Sequence, residues 1–423
     1  MPDTRPPHPS QSIAALSADP PREPLALARR LITLDTRGGN EKPAATLLAT
    51  LLDDAGFAVR LDEPEPGRAN LVARYGTGTP LTLTGHLDTV PADPAGWSFD
   101  PLSGQVHGDR LRGRGSSDMK AGVAALVCAA LDHVAGAGAP EGAGHAGARA
   151  AALQLVFTFG EETGCDGARH LTDLAPSPAL LVAEPTGNRL VLGHKGALWL
   201  RLTAHGRSAH GSRPELGENA LVALAATATR LHTHDAWPVS PTHGPVTVNP
   251  GAFRAGVQPN LVPDHAELDL DIRTVPGFGT EDALAKVGAL AAPGTRIERL
   301  LDLPSIATDP SGPLVARLAT ALHGTALHGT AAGAGGAGGA EGAGDAGGRD
   351  GRDGRVPVAD YATYFTDASV LAGKLGSPAV LLHGPGDPEQ AHTTDETCSV
   401  DKLHAATDAY RRLLAAWREQ PAA

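Results

Sequence analysis

The sequence predicts a two-domain α/β fold in which a smaller domain is inserted into a larger, layered one. The chain has 423 residues, which is too many for one ordinary domain. On both sides of residues 195–305, short apolar strands alternate with helical segments, as in layered α/β domains. Residues 195–305 have their own order, β-α-β-β-α-β, which is the ferredoxin-like signature. We therefore predict a layered domain over residues 12–194 and 306–423, interrupted by a ferredoxin-like α+β domain over 195–305.

The layered domain is predicted to begin with two helices and to continue with alternating strands and helices. These segments are the helices PLALARRLITLDT and KPAATLLATLLDDAG, the strands FAVRL, LVARYG and LTLTGH, the helix MKAGVAALVCAALDHV, and the strands LQLVFTFG and ALLVAE. After the insertion come the helices GPLVARLATALHG and DASVLAGKLG, the strand AVLLHG and the amphipathic helix SVDKLHAATDAYRRLLAAWRE. Two Gly/Ala-rich tracts, near residues 135–151 and 324–355, are predicted to be low-complexity inserts. The second is expected to lie on the surface, because it cannot bury enough apolar surface to offset its ordering entropy.

The inserted domain is predicted from six segments. Its strands are ALWLRLTAHG, PVTVNPGAFR, HAELDLDIRTV and RIERLLDL, and its helices are ENALVALAATATRLHT and EDALAKVGALAA. The segment HAELDLDIR alternates strictly and places Ala266, Leu268, Leu270 and Ile272 on one face. We expect that face to pack against the helices.

Composition excludes several classes of function. The formal net charge of −12 disfavours nucleic acid and anionic membranes as partners, since both require basic patches. The three cysteines are far apart and suggest neither a disulfide framework nor a CxxC metal site, which favours a reducing compartment. The N-terminal segment MPDTRPPHPSQS has no apolar stretch, and no run of eighteen apolar residues occurs. A cytoplasmic protein without a membrane partner is the expectation.

Histidines and acids follow the ends of several predicted strands. They are His86, Asp88, Asp118, Glu161, Glu162, Glu184 and His392. In open α/β sheets, ligands bind outside the carboxyl ends of the strands. Imidazole and carboxylate groups together are typical ligands of Zn²⁺. The pattern therefore predicts a metallohydrolase.

Each of these residues also has an ordinary structural explanation. Asp118 precedes a helix predicted to start at Met119 and could cap it. Asp88 lies two residues beyond His86, so it could accept a hydrogen bond from that imidazole or cap the next loop. The metal interpretation depends on all the residues occurring together at strand ends, which independent structural roles would rarely produce.

Seven motifs, in order between about residues 81 and 396, resemble the M20 metallopeptidase/deacylase family. They are GHLDTVP, GRGSSDMKAG, GEETG, AEPT, GRSAHGSRPELGENA, PNLVPDHAELDLDIR and GPGDPEQAHTTDE. The family includes acetylornithine deacetylase, succinyl-diaminopimelate desuccinylase, aminoacylase and glutamate carboxypeptidase. The resemblance implies a zinc-hydrolase catalytic domain, and it implies that the inserted domain forms a homodimer.

The resemblance also implies two metal ions per chain and five metal ligands. The ligands would be His86 and Glu184 for one ion, Glu162 and His392 for the other, and Asp118 as the bridge. Zn²⁺ is the expected metal, and Co²⁺ or Mn²⁺ would fit similar ligands. Asp88 would orient His86, and Glu161 would be the general base.

Three residues of the inserted domain are implied in substrate binding and catalysis. His210 would reach the active site of the partner subunit and stabilise the oxyanion, although it could also be a surface histidine. Arg273 and Asn260 would hold the substrate carboxylate or line its pocket. For Arg273 the alternative is an ion pair on the face of its strand.

The motif GPGDPEQAHTTDE is most similar to the acetylornithine deacetylase branch. We therefore expect hydrolysis of the amide of an N-acyl amino acid, with a dipeptidase, a carboxypeptidase or a succinyl-diaminopimelate desuccinylase as the alternative. Arg273 suits all of these, since each substrate presents a carboxylate. A non-catalytic binding relative is least favoured, because the five ligands and Glu161 are all present.

Overall fold

The computed structural model describes residues 22–136, 151–324, 358–359 and 361–418. The two Gly/Ala-rich tracts, apart from their ends, lie outside the described residues. The chain divides into two compact units. Unit 1 comprises Met1–Glu162, Ala183–Asn188 and His383–Ala423, and unit 2 comprises Thr163–Val182 and Arg189–Leu382. The domain boundaries inferred from the sequence stay a prediction.

Helices and strands alternate along the described residues. The helices are α1 (Pro24–Thr33), α2 (Lys42–Asp54), α3 (Ala121–Ala135), α4 (Asp166–His170), α5 (Ala220–Thr233), α6 (Thr280–Leu290), α7 (Pro313–His323), α8 (Ala368–Lys374) and α9 (Val400–Arg418). The strands are β1 (Ala58–Glu65), β2 (Arg68–Tyr75), β3 (Leu81–His86), β4 (Val106–His107), β5 (Arg110–Arg112), β6 (Leu153–Thr158), β7 (Ala179–Val182), β8 (Leu190–Val191), β9 (Gly193–His194), β10 (Ala197–His205), β11 (Val239–Ser240), β12 (Gly244–Pro245), β13 (Thr247–Ala255), β14 (His265–Arg273), β15 (Arg296–Leu303), β16 (Ile306–Ala307), β17 (Val358–Ala359), β18 (Ala379–Leu382) and β19 (Thr397–Ser399).

Unit 1 is built on four paired strands in the order β1-β2-β6-β3. The first two pairings are antiparallel, whereas β3 runs parallel to β6 with His86 opposite Thr158. Helix α3 is apolar around nearly its whole circumference and is buried between α1 and α9. Because β3 and β6 are parallel, their carboxyl ends lie side by side, which brings the residues after each strand together.

Unit 2 contains the ferredoxin-like arrangement that the sequence predicts. Its antiparallel sheet has the order β13-β14-β10-β15, and α5 and α6 pack on it. Leu268, Leu270 and Ile272 of β14 are buried in the core shared with the two helices, as their alternation predicts. The rest of unit 2 includes β7 and β18, which are parallel, and the short strands β8 and β17 beside them. The α/β fold class is thus confirmed.

One predicted helix start is wrong. Helix α3 begins at Ala121 rather than Met119, and its N-cap is Lys120. Asp118 and Met119 have extended or irregular backbone angles, with φ of −120° and −133°. Asp118 is therefore not a helix cap, and its carboxylate is available for another role.

Two expectations from composition can be compared with the structure. Cys128, Cys165 and Cys398 are all free and buried. Within the described part of the chain, no helix has both the length and the apolar character needed to cross a bilayer.

Candidate metal centre

The end of β3 and the end of β6 form one wall of the site. The N–H of Leu87 donates to the carbonyl oxygen of Thr158 at 2.8 Å, which continues the pairing one residue beyond β3. The carboxylate of Asp88 then accepts the backbone N–H groups of Glu161 and Glu162, each at 3.1 Å. These bonds fix the backbone of the Glu161–Glu162 pair beside His86.

Glu184 comes from a third segment, two residues beyond β7. The N–H of Ala183 donates to the carbonyl oxygen of Thr84 in β3 at 3.1 Å. Helix α3 packs directly against this segment at Gly122, where an added Cβ would lie 2.2 Å from the carbonyl oxygen of Ala183. Glu184 is 3% exposed. Its buried carboxylate is thus placed by tight backbone packing on one side and by a strand on the other.

The side chain of Asp118 lies between two histidines. Its Oδ1 is 3.0 Å from Nε2 of His86, and its Oδ2 is 3.4 Å from Nε2 of His392. Nε2 of His392 is also 2.8 Å from Oε2 of Glu162. Two groups of ligand atoms result, one formed by His86, Asp118 and Glu184 and the other by Asp118, Glu162 and His392. Within each group the atoms lie within 4.8 Å of one another.

These two groups match the pairing that the family resemblance implies, with Asp118 common to both. The structure brings all five predicted ligands together in unit 1, and the two acids that are in neither group, Asp88 and Glu161, lie in the same wall. His392 reaches the cluster from a loop well beyond β18 rather than from a strand end. Its φ of 63° is uncommon for a residue other than glycine, as is often found at functional sites.

Asp88 orients His86 differently from the way the spacing predicts. Nδ1 of His86 is 3.1 Å from the backbone carbonyl oxygen of Asp88 and 3.6 Å from Oδ1 of the Asp88 carboxylate. The carbonyl oxygen can only accept, so Nδ1 carries the proton that it shares with this acceptor. Nε2 of His86 faces Asp118, where it binds a second proton or a metal cation. The Asp88 carboxylate instead holds the Glu161–Glu162 backbone.

The electrostatics of the cluster favour cations. Burial lowers the pKa of His86, but the nearby carboxylates Asp118 and Asp88 raise it well above its usual value. Hydrogen bonds to Asp118 and Glu162 raise the pKa of His392 to about 10. Burial and the charge of Asp118 raise the pKa of Glu162. The carboxylates therefore compete for positive charge, which protons on the histidines supply unless a metal does so.

The residues fit divalent metal ions. Each group combines one imidazole nitrogen with carboxylate oxygens, a donor set that suits Zn²⁺, Mn²⁺ or Co²⁺. The histidines have raised pKa values because of carboxylates at ligand distance, and the metals would replace those protons. In this arrangement Asp118 can contribute one oxygen to each ion.

The three residues predicted to bind substrate belong to unit 2 and are not part of the metal groups. His210 is exposed, and its Nδ1 lies 2.7 Å from Oγ of Ser212. The carbonyl oxygen of Asn260 accepts the N–H of Gly211 at 2.7 Å, so His210 and Asn260 are close neighbours. Arg273 ends β14 and forms an ion pair with Asp271 at 3.0 Å. Their catalytic roles stay predictions.

The structure adds residues that the sequence did not single out. Glu396 is fully buried and pairs with Arg114 at 2.7 Å, beside the loop that carries Asp118. Lys120 is also buried and donates to the carbonyl oxygen of Leu34 at 2.9 Å. The only sequence signal for Glu396 is its position four residues after His392, within GPGDPEQAHTTDE. Spacing alone does not distinguish it from the other acids of that loop.

The two groups of histidines and carboxylates, beside the ends of strands of an α/β fold, are typical of a metal-dependent hydrolase. Comparison with known proteins gives the family. The chain belongs to peptidase family M20/M25/M40, whose family profile matches residues 82–416. The resemblance read from the seven motifs is thus confirmed.

Individual relatives differ in their named activities. A probable carboxypeptidase of Aspergillus clavatus is 30% identical over 425 residues, which cover 94% of this chain and 83% of the relative. The acetylornithine deacetylase of Vibrio atlanticus is 34% identical over 252 residues, which cover 57% of this chain and 64% of the relative. A solved M20 family metallo-carboxypeptidase of Sulfolobus solfataricus has a TM-score of 0.70 at 16% identity and covers 94% of this chain and 100% of its own. That last likeness supports the fold alone.

Proposed function

We propose that this chain is a dinuclear-metal amidohydrolase that removes the acyl group from an N-acyl amino acid, in the manner of acetylornithine deacetylase. The observation that carries the proposal is the pair of ligand groups that share Asp118. A carboxylate between two imidazoles, with one further acid on each side, provides two adjacent cation sites. The match to the Vibrio atlanticus deacetylase, at 34% identity, supports the deacylase branch.

Two divalent cations bound there would lower the pKa of a water molecule and polarise an amide carbonyl. The ions would be Zn²⁺, with Co²⁺ or Mn²⁺ as substitutes. His86 and Glu184 would hold one ion, Glu162 and His392 would hold the other, and Asp118 would contribute to both sites. Asp88 maintains the geometry by fixing the backbone of the Glu161–Glu162 pair.

Glu161 acts as the general base. It belongs to neither metal group, it is 6% exposed, and its backbone is fixed one residue away from a ligand. In this position its carboxylate takes a proton from the attacking water and returns it to the leaving amine, as general acid–base catalysis requires.

Arg273, Asn260 and His210 are proposed to recognise the rest of the substrate. Arg273 pairs with the substrate carboxylate, and Asn260 lines the same pocket. His210 stabilises the oxyanion in the active site of the partner subunit of a homodimer. The closeness of His210 and Asn260 supports a shared role, since the N–H of Gly211 ties their two loops together.

A second candidate is a carboxypeptidase or dipeptidase. It is favoured by the Aspergillus clavatus relative, which matches 94% of this chain. Both functions use the same metal site and base, and both substrates present a carboxylate. The substrates of the two candidate functions differ in the group on the acyl side of the amide. A few pocket residues determine which of these groups an enzyme accepts.

The test is a panel of substrates offered to the full chain after its metals have been removed by a chelator and restored with Zn²⁺ or Co²⁺. The panel contains N-acetyl-, N-succinyl- and N-formyl-amino acids and unblocked dipeptides. The proposal expects metal-restored cleavage of N-acetyl-amino acids above the other classes. Faster cleavage of dipeptides would establish the second candidate, and equal cleavage before and after metal removal would contradict both.

A further inference from the structure

Glu396 collects hydrogen bonds from the loop that carries Asp118. Its Oε1 accepts the backbone N–H groups of Ser117 at 2.7 Å and of Asp118 at 3.0 Å. Its Oε2 accepts the backbone N–H of Gly115 at 3.0 Å and Nη1 of Arg114 at 2.7 Å. Each carboxylate oxygen thus has two donors. Charge-assisted bonds of this kind are short, directional and stronger than neutral ones.

The loop needs such an acceptor because its backbone has irregular geometry between β5 and α3. Gly115 has a φ of 82°, and Asp118 is extended, so neither a helix nor a strand pairs their N–H groups. Buried N–H groups without an acceptor cost free energy. Glu396 satisfies three of them with one side chain, including the N–H of the residue whose carboxylate lies between the two histidines.

Glu396 also belongs to the segment that carries His392, four residues earlier. It directly precedes β19, which pairs with β5 through Cys398 and Leu111. Its carbonyl oxygen accepts the N–H of Gly113 at 3.1 Å. The segment of one metal ligand is therefore anchored to the loop of another through both the backbone and the side chain of Glu396.

We infer that Glu396 is a positioning residue of the metal centre. It fixes the position of Asp118 relative to His392, so that the Asp118 carboxylate belongs to both ligand groups. The inference rests on the metal site of the proposed function. Arg114 balances the charge of Glu396 and lies over the ring of Trp97 at 5.1 Å. Both oxygens of the Glu396 carboxylate accept hydrogen bonds from the loop and from Arg114. The carboxylate therefore holds the loop and does not act as a further metal ligand.

Two substitutions test this role in the full chain. In Glu396→Gln, the amide NH₂ group must face one pair of donors, so two of the four bonds are lost. In Glu396→Asp, the charge stays but the carboxylate retracts by one methylene. Zn²⁺ affinity is measured by competition with a chelator on metal-stripped protein. We expect each variant to bind Zn²⁺ about 10–100-fold more weakly than the wild type, the usual range for residues that orient metal ligands.

The matched control is Asp109→Asn. The Asp109 carboxylate also holds a chain segment, here the one around Ser399 and Asp401. It accepts hydrogen bonds from Oγ of Ser399 at 2.7 Å and from the backbone N–H of Asp401 at 2.9 Å. It is in neither metal group. We expect Asp109→Asn to lower the thermal stability of the metal-free protein without changing Zn²⁺ affinity.

A folded Glu396 variant that binds Zn²⁺ with wild-type affinity overturns the inference, even if its stability is reduced. If Glu396→Gln does not fold, the Glu396→Asp variant, which keeps a negative charge near Arg114, decides the question by the same measurement. Wild-type protein that binds no Zn²⁺ overturns the proposed function and this inference together. If the wild type binds Zn²⁺ and both variants bind it with unchanged affinity, the inference is overturned and the proposed function is not.

Discussion

Asp118 is the residue on which both metal groups depend. Its two oxygens lie 3.0 and 3.4 Å from Nε2 of His86 and His392, respectively. Asp118→Asn removes a charged ligand from both groups, whereas Glu184→Gln removes one from a single group. We expect Asp118→Asn to retain almost no tightly bound metal and Glu184→Gln to retain about one ion per chain. Metal analysis after gel filtration measures this, and equal metal content in the two variants would contradict a shared ligand.

Glu161 is the residue that distinguishes catalysis from metal binding. Glu161→Gln removes the base and leaves every predicted ligand in place, so we expect full metal content and a loss of turnover of about 10²–10⁴-fold. Glu162→Gln is the matched control, because the neighbouring acid lies in a metal group. It should lose metal as well as turnover. Wild-type turnover by metal-loaded Glu161→Gln would assign the base to another residue.

His392 makes the stability of the metal-free protein depend on pH. Hydrogen bonds to Asp118 and Glu162 raise its pKa from 6.5 to about 10 in the folded chain. A raised pKa means that protonation stabilises the fold, so this contribution is complete below pH 6.5 and is lost as the pH approaches 10. Urea unfolding of the metal-free protein should therefore give a free energy of unfolding that declines across this window. His392→Gln should flatten that part of the profile, and an unchanged slope would show that other groups cause it.

At the residue scale, the sequence predicts which side chains meet but not how all of them bond. The positions of the acids and histidines after predicted strands indicated a metal site, and the family resemblance implied which five of them would be ligands. Spacing could not show that the backbone carbonyl of Asp88, rather than its carboxylate, is the nearer acceptor for His86. Nor could it show the role of Glu396, whose donors are backbone N–H groups almost 280 residues earlier in the chain.

At the element scale, Gly122 allows helix α3 to pack closely against the segment that carries Glu184. An added Cβ there would lie 2.2 Å from the carbonyl oxygen of Ala183, the residue before Glu184. We expect Gly122→Ala to destabilise the protein by about 1–3 kcal/mol, the usual cost of overpacking, and to weaken Zn²⁺ binding by displacing Glu184. Chemical denaturation and chelator competition measure the two effects.

Gly288, in helix α6, provides the control for that substitution. Nothing lies within 4 Å of a Cβ built at this glycine. Gly288→Ala should stabilise the protein by about 0.5–1 kcal/mol, because alanine has the better helix propensity, and it should leave Zn²⁺ affinity unchanged. Equal effects of the two substitutions would mean that Gly122 is not held against Ala183 in solution.

Elements with strong periodicity were predictable, and those set by tertiary contacts were not. The alternation in β14 predicts its buried face because one face must pack on helices. The start of α3 was misplaced because Met119 and Lys120 are good helix formers, whereas the N–H groups of Ser117 and Asp118 just before them donate to Glu396. The two-residue strands β8 and β9 give no detectable pattern, since a period of two cannot be recognised over two residues.

At the scale of the whole molecule, the family resemblance predicts a homodimer whose active sites are completed by the partner subunit. Glu161→Gln and His210→Asn should each inactivate the protein when expressed alone. Co-expression should restore activity, because a mixed dimer contains one site with both an intact Glu161 and a partner His210. Size-exclusion chromatography with light scattering establishes the dimer. No recovery of activity in a verified mixed dimer would contradict the exchange of His210.

The family is predictable from the sequence, whereas the acyl group of the substrate is a proposal. Seven ordered motifs were enough for the family, because they carry the metal ligands and the strand ends that hold them. The acyl preference depends on a few pocket residues, and relatives of about 30% identity are named for different activities. The branch is therefore a matter for measurement.

The most direct test of the central claim is a Zn²⁺ titration of the metal-free chain, with hydrolysis of N-acetyl-amino acids followed at each step. If Asp118 joins two metal sites beside Glu161, activity will be absent at the start and will reach its plateau at two ions per chain. Hydrolysis that is undiminished after complete metal removal would contradict this account. So would a chain that binds Zn²⁺ at neither group.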